Sequence, residues 1–249
     1  MSISRIQSNS PYTALSSGYK INSAADDAAG LAISAKLLSQ SNGYDAGSDN
    51  ASDSMSLINV ADGALSGIQD SLQRIYELGV RASNGLYSDS DKQALQKEID
   101  GIKQNIQGIA QGTSFNTLKL LDGSMADIEL ATNPQGDKLK IQLVNSTLES
   151  LGIADFDVTK DFDLNSIENA MEKVSSARSS FGAQFNSLQH TISNNNYTSY
   201  NLTAANSRIK DTDYGDEIIK RNRDEALHQY RIFGIKAQTE QNAGFLKLF

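Results

Sequence analysis

Few residues in this chain could do covalent chemistry, so those few come first. There are two histidines, His190 and His228, and no cysteine. The cysteine count removes disulfides, thiolate nucleophiles and cysteine zinc sites. The histidines fall in different expected helices with no HExxH around them, so neither a metal pair nor a general base with a partner is in prospect. Two carboxylate pairs, Asp26-Asp27 and Asp211/Asp213, sit at expected helix boundaries, where capping explains them better than acid–base work. Gly112, Gly123 and Gly136 are single turn glycines without a phosphate-cradling pattern. Arg74 and Leu78 stand at i, i+4 on a helix, off its apolar seam, and so share an exposed or edge face. Lone exposed residues of this kind are normal on a helix surface.

The element that must carry them is the proline-free stretch Asn22–Asn84. Ile58, Ala61, Leu65, Ile68, Leu72, Ile75, Gly79 and Ala82 recur at alternating spacings of three and four, the heptad of a helix packed along another helix. Traced backwards the same register meets Ile33, Leu37, Tyr44, Gly47, Ala51 and Ser54. One helix of roughly 60 residues is on the order of 90 Å long, which predicts a rod of partner helices. Ser23 is the expected cap, with Asp26 and Asp27 in the first turn.

The rest of the chain supplies the partners. A second helix is expected from Asp89 to Gln111 on Leu95, Ile99, Ile102, Ile106 and Ile109, folded back antiparallel. Alternation then changes to a period of two at Ile128, Leu130, Leu139, Ile141 and Leu143 around Asn133-Pro-Gln-Gly136, a β-hairpin. Residues 144–165 read as irregular, pinned by Leu151, Ile153, Phe156 and Val158. From Leu164 a third helix of about 45 residues carries Ile167, Met171, Val174, Phe181, Phe185, Leu188 and Ile192, its stripe weakened at the polar run 193–199. The first 22 residues, with Pro11 and Ser16-Ser17-Gly18, read as an arm without a helix. A separate helix from Asp213 ends in the apolar tip Phe245–Phe249.

The fold class expected is mainly α: an elongated antiparallel bundle of long helices, two N-terminal and one C-terminal, with a small β-hairpin segment and a separate C-terminal helix. The divisions are an arm at 1–22, a helical rod at 23–212 with its β segment at about 124–160, and a C-terminal assembly helix at 213–249. A net charge of −8 opposes nucleic-acid binding, and no segment reads as a membrane span or a cleaved leader.

Several segments resemble bacterial flagellin: LSSGYKINSAADDAAGLAIS (15–34), ADGALSGIQDSLQRIYELGVRASNG (61–85), TSFNTLKLLDG (113–123), VSSARSSFGAQFNSLQHTISN (174–194) and NLTAANSRIKDTDY (201–214). The resemblance implies a non-enzymatic subunit of the flagellar filament, secreted to the extracellular flagellum, without cofactor or metal. It implies other flagellin subunits, the flagellar export apparatus and its chaperone, and the flagellin-sensing Toll-like receptor as partners, with neither nucleic acid nor membrane. It places receptor contacts at Arg74, Leu78 and Glu98. It places assembly contacts at Leu15, Gly18, Asn22, Asp26, Asp27, Arg208, Asp211 and Asp213, where two facing segments join the outer rod to an inner tube.

Departures from the family pattern are a shortened segment before Leu15, an altered tail, Tyr76 and Gly79 beside the receptor positions, and a variable insertion reduced to 124–165. Two rival readings are a hook–filament junction protein and a secreted receptor ligand that does not polymerise.

Overall fold

The computed structural model describes residues 11–136 and 138–246, with side chains as far as residue 240. The expected apolar tip at 245–249 and the first ten residues of the expected arm lie outside what is described. In chain order the elements are α1 (Pro11–Ser17), α2 (Ala28–Ala82), α3 (Asp89–Gly112), β1 (Ser114–Phe115), β2 (Leu118–Lys119), β3 (Asp127–Ala131), β4 (Lys138–Gln142), α4 (Leu148–Leu151), α5 (Asn165–Lys210) and α6 (Tyr214–Leu246). The fold is mainly α, with long helices and two small antiparallel hairpins. It divides into two compact units: Gly43–Tyr197, and the remainder on either side of it.

In the Gly43–Tyr197 unit the α2 heptad behaves as its spacing predicts. Ala61, Leu65, Ile68, Leu72 and Ile75 are wholly buried. The arc is wider than one seam, because Leu57 and Leu78 are buried too. The cause is that α2 meets two helices. Arg74 Nη2 pairs with Glu98 of α3 at 2.6 Å, and Arg178 Nε of α5 pairs with Asp62 at 2.8 Å. Helix α3 starts on a capping box, Ser88 Oγ accepting from Asp91 N–H while the Asp91 carboxylate accepts from Ser88 N–H. Its Ile99 and Ile106 point into the same core.

After α3 the chain makes a tight turn within the TSFNTLKLLDG segment. Asn116 (φ 43°) and Thr117 (φ 70°) both lie in the left-handed region between β1 and β2, the conformation of a two-residue hairpin turn. The expected hairpin follows, with Ile128 opposite Ile141 and Leu130 opposite Leu139. Residues 144–165 are not wholly irregular: α4 is capped by Thr147 and closed by Gly152. Leu151, Ile153, Phe156 and Val158 are buried as expected.

The polar run in α5 is where the sequence reading departs most from the structure. The stripe does not fade there; it changes chemistry. Asn195 is 3% exposed and donates to the Thr132 carbonyl at 2.7 Å. Opposite it, Ser48 donates to Asn196 Oδ1 at 3.1 Å. Gly47 sits against the Thr132 backbone, where a Cβ would come within 2.2 Å of the carbonyl oxygen.

The other unit repeats this chemistry. Ser41 Oγ lies 2.9 Å from Ser199 Oγ and 3.0 Å from Thr203 Oγ1, and Ser34 donates to Asn206 Oδ1 at 2.6 Å. Ile33, expected on the seam, is 51% exposed. The register is carried by Ser34, Ser41 and Ser48, small side chains that allow close approach and hydrogen-bond to polar side chains of α5.

Helix α2 also starts later than expected. Asp27, not Ser23, caps it by accepting from Gly30 N–H at 2.8 Å, and Asp26 holds the preceding turn. Pro11 lies within a helix instead of preventing one. The resulting α1 packs against α6.

Candidate assembly and recognition surfaces

The two segments expected to face each other do so, within one unit. Gly18, with φ 76°, reverses the chain after α1 in a conformation glycine adopts without strain. The next residues form a short antiparallel bridge with the end of α5. Tyr19 pairs with Asp211, Lys20 N–H donates to the Lys210 carbonyl at 2.8 Å, and Thr212 N–H donates to the Gly18 carbonyl at 3.0 Å. Lys20 Nζ adds a bond to the Arg208 carbonyl at 2.8 Å. The Lys210 ammonium lies 4.3 Å from the centre of the Tyr19 ring, a cation–π contact.

Most of the residues expected at assembly contacts make local hydrogen bonds. Leu15 is half-buried on α1. Asn22 Nδ2 donates to the Tyr19 carbonyl at 2.7 Å. The Asp26 carboxylate accepts from the N–H groups of Asn22 and Ser23 and from Ser23 Oγ. These bonds, Asn22 N–H first, hold its pKa below the usual carboxylate value. Asp211 takes a short bond from Ser207 Oγ, and Asp213 caps α6 through Gly215 and Asp216 N–H. Tyr19, Lys20 and Lys210, which complete the bridge, escaped the sequence reading. Nothing local marks a backbone pairing between segments nearly two hundred residues apart.

Beyond the bridge, α6 exposes a series of large apolar side chains. Ile219 is 67% exposed, Tyr230 76%, Phe233 72% and Ile235 64%. Helix α1 packs against α6. Large exposed apolar side chains in this number on one helix mark a site of protein–protein contact.

At the expected recognition positions the structure brings two of three residues together. Arg74 bonds Glu98 through Nε (3.0 Å) and Nη2 (2.6 Å), with Glu77 on its other nitrogen at 3.2 Å. The carboxylates, Glu98 first, push the guanidinium pKa further up. Both side chains remain more than two-fifths exposed. Leu78 does not share that face. It is wholly buried and belongs to the core that α2 shares with its neighbouring helices. The expectation of a Leu78 surface contact is therefore corrected.

His190 and His228 are both exposed. Among the described residues no group of carboxylates and histidines could hold a metal, and no helix is long and apolar enough to cross a membrane.

This geometry belongs to a class of protein whose work is packing: long helices with heptad faces, a strapped junction and uncovered apolar surface. The N-terminal helical region of bacterial flagellin matches residues 3–126, and its C-terminal helical region matches 164–242. Flagellin of Halalkalibacterium halodurans is 38% identical over 236 residues, covering 92% of this chain and 87% of that protein. Flagellin of Bacillus subtilis is 36% identical over 255 residues, covering 86% and 84%.

Among solved structures, Bacillus cereus flagellin aligns with a TM-score of 0.53 at 30% identity over 59% of this chain and 88% of that one. A putative flagellar hook-associated protein from Vibrio parahaemolyticus aligns at 0.63 with 13% identity, over 75% of this chain and 100% of that one, a likeness of fold alone. The chain belongs to the bacterial flagellin family. It is a structural component of the bacterial flagellar filament and not an enzyme.

Proposed function

We propose that the chain self-assembles with other flagellin subunits through the exposed apolar side chains of α6, oriented by the Gly18–Lys20 bridge at its root, after passage through the flagellar export apparatus with a chaperone. The observation that carries this is the exposure of Tyr230, Phe233 and Ile235 on one long helix. Burying such a side chain is worth roughly 1.5–3 kcal/mol, so a neighbouring copy gains much by covering them. Seeded polymerisation followed by electron microscopy tests the reading. Fibres support it. A chain that stays monomeric at high concentration favours the rival, a soluble receptor ligand.

A second reading concerns recognition by the flagellin-sensing Toll-like receptor. The exposed Arg74–Glu98 pair favours it, since a half-exposed guanidinium already oriented by two carboxylates loses little freedom on docking. Leu78 acts there only as support beneath the surface. A receptor reporter assay comparing the wild-type chain with Arg74→Ala decides it; equal potency removes the site.

A further inference from the structure

We propose that Asn84-Gly85 is a site of spontaneous deamidation, converting the turn between α2 and α3 to aspartate and isoaspartate. The sequence contains two Asn-Gly pairs, Asn42-Gly43 and Asn84-Gly85, and the fold treats them oppositely. Asn42 lies inside α2, where the Gly43 N–H belongs to the helical hydrogen-bond ladder and the backbone is held in one conformation. Asn84 lies beyond the last turn of α2, exposed, in a loop where Leu86, two residues on, is 90% exposed.

The local geometry favours attack. Leu86 N–H donates to Asn84 Oδ1 at 3.0 Å, which folds the side chain back over the 84–85 peptide and polarises its carbonyl. Gly85 N–H has no acceptor among the described residues. Gly85 also stands in open space, with no atom within 4 Å of where a Cβ would be.

The step balances without a catalyst. The Gly85 amide nitrogen loses its proton to base and bonds to Asn84 Cγ. The Cγ–Nδ2 bond breaks, ammonia leaves, and a succinimide ring remains. Water then adds to one of the two ring carbonyls, yielding aspartate or, with the main chain lengthened by one methylene, isoaspartate. The product carboxylate stands between the negative end of α2 and the capped start of α3. In a filament whose subunits stay in place, such a change accumulates with age.

Peptide mapping of the full folded chain after incubation at mildly alkaline pH tests this. The tryptic peptide Ala82–Lys92 gains the mass of an amide-to-acid exchange and splits into two species, while the Asn42 peptide is unchanged. Conversion rises with pH. Gly85→Ala, which the open space accommodates, slows it by an order of magnitude or more. A urea-unfolded sample, in which both sites convert, is the reference. An intact Asn84 in the folded chain beside a converted one in urea overturns the proposal, as does equal conversion of Asn42 and Asn84 in the folded chain.

Discussion

Asp157 shows how much one side chain can do in a loop. It accepts from Thr159 Oγ1 at 2.6 Å and from Thr159 N–H at 2.9 Å, with Lys160 beside it at 3.1 Å. Those bonds, the Thr159 hydroxyl first, bring its pKa down to about 2. A carboxylate whose folded pKa lies below its unfolded value adds stability that is present above the unfolded value and disappears as pH falls through the folded one. The segment carrying Phe156 and Val158 therefore loses about 1–2 kcal/mol between roughly pH 4 and pH 2. Thermal melts across that range should show the loss, and Asp157→Asn, which can still accept both bonds, should flatten it.

At the scale of elements, the contacts of α2 decide which glycines are needed. Gly47 faces the Thr132 backbone, which cannot move aside as a side-chain tip can. Gly47→Ala should cost about 2 kcal/mol or more by forcing α2 away from the end of β3. Gly101, on the exposed face of α3, meets nothing within 4 Å; Gly101→Ala should stabilise by about 1 kcal/mol through helix propensity. Denaturant melts of the two variants check both signs.

The polar seam gives a related expectation. Ser41→Ala leaves Ser199 and Thr203 with one partner fewer and should cost about 1 kcal/mol. Hydrogen exchange should then show faster opening of the Asn42-side unit than of the Gly43–Tyr197 unit.

At the scale of the whole molecule, the two units differ in how much they complete by themselves. Gly43–Tyr197 encloses a core containing Leu65, Ile106, Ile153 and Phe181. The other unit relies on hydrogen-bonded serines, a backbone bridge and a helix with bare apolar side chains. The paired substitution Tyr230→Glu with Phe233→Glu should leave the melting of the enclosed unit unchanged. It should abolish seeded fibre growth, read by light scattering and electron microscopy. Loss of helicity before assembly would mean that these side chains support α6 itself.

Much of the fold was legible in the order of residues. The α2, α3 and α5 heptads, the start of α3 at Asp89 and the Ile128–Ile141 hairpin follow from periodicity and capping, which act over a few residues. The Ser34–Ser41–Ser48 seam was equally periodic, but a search for apolar side chains passes over serine, and only a facing Asn206 or Ser199 shows why it is buried.

What the sequence determined alone was therefore local and repetitive: which stretches coil, where they begin, which stripe each presents and, through its ordered motifs, the family. Tertiary structure decided how many neighbours each helix has. It drew Leu78 inward, left Arg74 outside and joined Tyr19 to Asp211 across the length of the chain. Burial is a property of what lies opposite a residue, and a one-dimensional pattern carries no record of that.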